Sequence, residues 1–333
     1  MLMMGGVAAM VIAALWFTGQ GSPAVSAAGG YDDLLTLFTE WRAFQHAPLT
    51  DGVPDYRAAA MSAQQQKLPA FQKRLAALDP VSWPVPQQVD WHLVRAEMAG
   101  LEFDHRVRKP WATHPGFYVT VFPSQSDQPA REGINADGGV ELWTYTYPLS
   151  PEQAAKMDAG IRIIPALLEQ AKTNLTGNGR DLWVYGTKAI KDQSSDLDRL
   201  AARIVETPGP LKADVQRAKA ATDAFATWLD AQAAAKKGPS GVGIDNYNWY
   251  LRHVQLVPYT WQDELTLMQR ELGRAHEFLA LEESRNSALP VLTPIATAEE
   301  HAKQFSDRVT EYLAFLDTHH LYTVKPWMDA ALR

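Results

Sequence analysis

Apolar residues recur three and four apart through most of the chain, and prolines and glycines fall at the breaks, which predicts one helix after another. Residues 31–46 carry Leu34, Leu35, Phe38 and Trp41 and stop before Pro48 and Gly52. A second helix is predicted over residues 56–78, kinked near Pro69 and closed by Asp79-Pro80. A third covers residues 86–108, with Val89, Leu93, Ala96 and Leu101 on its buried side. Farther on, Ser150-Pro151-Glu152-Gln153 sets an N-cap, a first-turn proline and a capping-box glutamine in order, opening a helix to about Asn174. Residues 180–205 and 210–237 follow as long helices, the second broken by the glycines and proline of residues 238–243. The strongest pattern lies over residues 260–286, where Trp261, Leu265, Met268, Leu272, Ala275 and Leu279 alternate four and three apart behind Thr260 and Asp263. Thr297 and Glu300 open one more helix, with a stripe of Phe305, Val309, Tyr312 and Leu316.

Residues 109–149 break the pattern. Pro110, Pro115, Pro123, Pro129, Gly133, Gly138, Gly139 and Pro148 punctuate aromatic and β-branched residues there. Residues 117–122 and 140–147 read as extended segments that pair with each other. A stretch of this kind is either a functional loop or a packed connection between helical layers. The expected fold is therefore mainly α, a multi-helix array or bundle whose Pro/Gly-rich middle forms a short β-hairpin.

Composition narrows the function classes. With 46% apolar and 21% charged residues in 333, the chain can bury a sizeable core. A net charge of -7 and only short basic clusters argue against a nucleic-acid partner. The apolar run of residues 5–17, followed by Val25-Ser26-Ala27-Ala28, has the form of a signal peptide over residues 1–28, although no Lys or Arg precedes it. The expected mature protein is one helical domain over residues 29–333, exported to the periplasm or beyond, with no stable membrane span after cleavage. Gly29 is expected in a loose tail, where a substitution would matter less than at Gly243. With no cysteine, thiolate metal sites, disulfides, a cysteine nucleophile and a lipoprotein anchor are all excluded for this chain.

The search for chemistry yields fragments. His276-Glu277 begins a zinc-binding H-E-x-x-H pattern, but Ala280 occupies the second histidine position. Glu102 and His105 form a single E-x-x-H pair where a di-iron site needs two, and His319 and His320 are neighbours that point apart on a helix. These histidines are expected on the surface or satisfied in the core. Nucleophile elbows and phosphate loops are missing from the sequence, and Gly241-Val242-Gly243 lacks the third glycine of a dinucleotide fingerprint. No cofactor is expected in this chain.

The segment from Pro239 to Thr260 stands apart, with Ser240, Gly241 and Gly243 leading into NYNWYL and then LVPYT. Glycines allow close backbone approach, and Tyr, Trp and Asn offer flat faces with polar tips. That suits a peptide or carbohydrate groove, or else a tight turn whose aromatics pack as core. The strings SGVGIDNYNWYL, LVPYTWQDEL and RELGRAHEFLALEESRN, together with VELWTYTYPLSPEQ, resemble the bacterial domain-of-unknown-function family 885 over residues 31–333. The resemblance implies a mostly helical, exported, zinc-peptidase-like protein of about twice this length. The family's His-Glu element and Pro-Gly-His-His element match no position here, so no metal ligand or general base carries over. It further implies that the chain is the N-terminal, substrate-cleft half without autonomous hydrolysis, as a truncated frame or a true short form. Zinc would then come only with a C-terminal half, and the partners would be that half or a peptide substrate. Ser240, Gly241, Gly243, Tyr247, Tyr250 and Tyr259 would face the cleft. From a different class, a non-catalytic helical module binding peptide or glycan in the cell envelope also fits the aromatic content.

Overall fold

A computed structural model describes residues 29–125 and 135–333, so the expected signal peptide lies outside the described residues. The chain divides into two compact units, Met1–Glu264 and Leu265–Arg333.

In the first unit, α1 (Tyr31–Phe44), α2 (Ala58–Ala76) and α3 (Val85–Phe103) enclose a core of Leu34, Leu37, Trp41, Leu68, Leu75, Val94 and Met98. Trp41 is fully buried and donates its indole N–H to Glu97 Oε2 at 3.1 Å, while Arg42 bonds the same oxygen at 2.8 Å. The buried side of α3 is Val94, Ala96, Met98 and Phe103; of the expected stripe Ala96 is buried and Leu101 packs partly against the core, whereas Val89 and Leu93 face solvent. Both faces of α3 carry apolar residues, so periodicity alone does not choose between them. Gly29 also departs from expectation. A Cβ there would lie 2.6 Å from Leu78 Cδ2, so the position packs against the end of the α2 region.

Between α1 and α2, β1 (Leu49–Thr50) and β2 (Val53–Pro54) form an antiparallel hairpin around Asp51 and Gly52, both at positive φ. The Pro/Gly-rich segment pairs as expected, but over two residues a side and in parallel. Here β3 (Val121–Phe122) aligns with β4 (Val140–Glu141). Several of its described residues pack in the core. Phe117, Tyr118, Val121, Val140 and Leu142 are buried, and Gln193 Oε1 accepts the backbone N–H groups of Thr120 and Val121 at 2.7 and 3.1 Å. The short helix α4 (Pro110–Thr113) leads into that segment.

The larger core belongs to α5 (Pro151–Ile161), α6 (Ile164–Asn174), α7 (Arg180–Arg203) and α8 (Leu211–Ala233). Ser150 and Gln153 form the expected capping box. The single helix expected to Asn174 is two, because Pro165 stands at the start of α6, where it cannot donate to the preceding turn. Gly186 brings α7 onto residues 115–118, since a Cβ there would sit 2.5 Å from Gly116 N.

The first unit continues through α9 (Ile244–His253) into the start of α10 (Trp261–Arg285). In the second unit α10 buries none of its residues. Leu265, Met268, Leu272 and Leu279 are 45%, 72%, 60% and 56% exposed. Helix α11 (Ala298–Thr318) buries Val309, Leu313 and Leu316, whereas Phe305 and Tyr312 of its expected stripe are exposed. Helix α12 (Pro326–Leu332) is tied to it by Arg333, which bonds Thr310 Oγ1 at 2.8 Å and Ser306 O at 3.0 Å. Among the described residues, no helix is long and apolar enough to cross a membrane.

Candidate functional site around α9

Helix α9 starts at Gly243, whose φ of 84° is a conformation that side chains with a Cβ rarely adopt. Its apolar anchor is Leu251, buried on the side that meets α3. Opposite it, α3 does not end cleanly. Residues Asp104–Arg108 form a π turn closed by the Lys109 N–H to the Asp104 carbonyl at 2.7 Å. Such turns re-aim side chains and are frequent at functional sites.

The two segments interlock through rings and guanidinium groups. Trp249 stacks on Phe103 with centroids 5.7 Å apart and planes 8° from parallel, and Tyr250 tilts onto Phe103 at 5.0 Å. Arg106 lies 4.7 Å from the Trp249 ring centroid and donates to Asn246 Oδ1 at 3.2 Å. Arg108 lies 5.6 Å from the Tyr250 centroid and pairs with Asp104. Burial pushes the Asp104 carboxyl up and the Arg108 charge opposes it.

On the outer side of α9, Asn248, Trp249, Arg252, His253, Tyr259 and Thr260 line a recess of about 180 Å³. The His253 ring lies 4.7 Å from the Trp249 ring. Asn248 Oδ1 accepts the Trp261 backbone N–H at 2.8 Å, and Thr260 is bonded to Asp263 at 2.7 Å. The buried Trp261 indole N–H has no partner among the described residues.

The six residues singled out from the sequence are spread over this region. Only Tyr259 lines the recess. Tyr250 faces Phe103 and Arg108, and Tyr247 donates to Glu264 at 2.6 Å, a bond that holds its phenol above the ordinary range. Ser240 Oγ accepts the N–H groups of Asp181 and Leu182 at 2.8 and 3.3 Å, so it caps the start of α7. Gly241 has open space where a Cβ would stand. Arg252 and His253 sit just past the NYNWYL string and lack any motif of their own. Phe103 and Arg106 are far away in sequence and carry no local signal at all.

Two further polar clusters have no sequence signature, and a third group contains His105 of the lone E-x-x-H pair. His46 Nδ1 and Asp137 Oδ1 are 2.7 Å apart, and Asp137 Oδ2 accepts the Tyr56 hydroxyl at 2.9 Å. Burial drives the Tyr56 phenol up. Asp158 and Asp214 are a buried carboxyl pair, and burial and then Asp214 raise the Asp158 pKa. His105 is buried and bonded to Gln64 Oε1 at 2.9 Å. Among the described residues, no three His, Asp or Glu side chains gather as a metal-binding set.

No family model matches the chain, and no curated protein does. One solved structure shares the fold. It is a Shewanella oneidensis protein described as a lipoprotein of unknown function, 16% identical with a TM-score of 0.53. The match covers 90% of this chain and 59% of that one.

Proposed function

We propose that this chain forms part of the substrate-cleft wall of a larger, exported, metallopeptidase-like helical assembly and does not itself hydrolyse peptides. The observation that carries the reading is the apolar stripe of α10, none of whose residues is buried. A helix with one continuous apolar stripe gains its stability by laying that stripe against another surface. Exposed apolar patches of such extent mark interaction faces. Three of the four strings that resemble family 885 run along α9 and α10, so that stretch carries most of the resemblance and the open face. In this reading the α9 recess is a stretch of cleft wall. Export is supported by the small-residue motif at residues 25–28 and by the lipoprotein description of the Shewanella neighbour.

The test is metal content and hydrolysis of the purified mature chain. The expected result is substoichiometric zinc and no chelator-sensitive cleavage of a peptide library. Stoichiometric zinc together with hydrolysis that chelation abolishes would overturn the reading.

A second reading, a self-sufficient envelope binding module, is favoured by one observation, the half-open recess on α9. It predicts a monodisperse monomer that retains a peptide or glycan. Association through the α10 face would count against it.

A further inference from the structure

The α9 recess has a one-sided chemistry. Arg252 is exposed and makes no ion pair or hydrogen bond among the described residues, although it lines the recess. Most other surface guanidinium groups among the described residues have carboxylate partners, as in Arg57–Asp55, Arg74–Glu40 and Arg274–Glu271. Two carboxylates just past the recess residues in the chain are engaged elsewhere. Asp263 holds the backbone N–H and hydroxyl of Thr260, and Glu264 accepts the Tyr247 hydroxyl. Asn248 uses its carbonyl oxygen for the Trp261 N–H, which leaves its amide NH₂ as a donor. The Tyr259 hydroxyl has no partner among the described residues and also borders the space. The walls therefore supply a cation and neutral donors, and no lining residue is a carboxylate.

The remaining lining includes the aromatic rings of Trp249 and His253. Trp249 is held by Phe103 and Arg106, with the His253 ring 4.7 Å from it. Guanidinium binds carboxylate through two parallel N–H···O bonds, and such charge-assisted bonds are about twice as strong as neutral ones. A recess of about 180 Å³ accommodates a small group and not an extended chain.

We infer that the recess binds a carboxylate joined to a flat or apolar group, with Arg252 holding the carboxylate and Trp249 the apolar part. The inference rests on the reading of α9 as cleft wall and names the chemistry that this wall selects. A peptide C-terminus with an aromatic residue and a free aromatic acid share that chemistry, whereas a sugar acid has the carboxylate without the apolar face.

Isothermal titration of the full mature chain at low salt tests it. The probes are N-acetylphenylalanine, its carboxamide and glucuronate. The acid is expected to bind at least about tenfold more tightly than the amide, the effect of one charge-assisted contact. Arg252→Gln is expected to abolish that preference, and Arg252→Lys to keep part of it. Arg252 is exposed and unpaired, so neither change should alter the circular dichroism. Equal binding of acid and amide would overturn the inference, as would no binding of either or an unchanged preference in Arg252→Gln. Glucuronate binding as tightly as N-acetylphenylalanine would overturn the role given to Trp249. None of these outcomes bears on zinc content or hydrolysis, so failure here is distinguishable from failure of the cleft-wall reading.

Discussion

Phe103 and Trp249 lie face to face, 5.7 Å apart and within 8° of parallel, and this pair joins the end of α3 to α9. Phe103 is 1% exposed, so truncation leaves a cavity that the stacked indole cannot fill without moving. Phe103→Ala is expected to cost about 3–5 kcal/mol, the usual range for a buried phenylalanine. Amide exchange should show α9 opening before the α5–α8 core. Protection of α9 unchanged in the variant would show that the pair does not hold the helix.

The Ser240 hydroxyl offers a sharper separation of roles. As a cap on α7 it should contribute about 1 kcal/mol, lost in Ser240→Ala and largely retained in Ser240→Thr or Ser240→Asn. Chemical denaturation of the three variants checks this. If Ser240→Ala left stability unchanged while weakening ligand binding, the residue would belong to the cleft face that the sequence resemblance implies.

His105 gives the first unit a dependence on acid. Burial, and then the Lys109 charge, hold its imidazole down at about 4. The unfolded chain protonates it near the ordinary value, roughly 6.5, so stability is full above that pH. As the pH falls from about 6.5 to about 4, the unfolded state binds the extra proton and up to roughly 2–3 kcal/mol is lost. His105→Gln keeps a polar partner for Gln64 and should flatten the fall of the melting midpoint across that window. An equally steep fall in the variant would exclude His105 as its source.

Asp158 acts with the opposite sign. Its folded pKa is raised by burial and by Asp214, so the folded state favours the proton and the group destabilises progressively as pH rises above the ordinary carboxylate range. Asp158→Asn retains a donor toward Asp214 without the ionisation. It should raise the melting midpoint at neutral pH and leave it nearly unchanged at pH 4. A lower midpoint at neutral pH would mean that the carboxylate is required.

Much of the architecture is written in local signals. Ser150 and Gln153 announce α5, and Thr260 and Asp263 announce α10, because caps act within four residues. Which face of a helix is covered is a different kind of information. On α3, Val89 and Leu93 are as apolar as Val94 and Met98, and only the positions of α1 and α2 decide that the latter are buried. On α10 the periodicity is correct and the burial is absent, since a stripe records what a helix can cover and not what covers it. At the site, the aromatic string of α9 is legible, but its partners Phe103 and Arg106 are delivered by the fold and by a π turn that helical periodicity does not encode.

The open face of α10 sits on a chain with a net charge of -7. Two copies that approach through that face gain from removing apolar surface from water and lose from mutual repulsion. Only the second contribution depends strongly on ionic strength. At 0.01 M salt the repulsion reaches about 30 Å, and at 0.15 M it falls to about 8 Å. Salt is therefore the expected control on this protein's colloidal behaviour: dispersion in dilute buffer, and growing self-adhesion as counterions shorten the range of the charge that keeps copies apart.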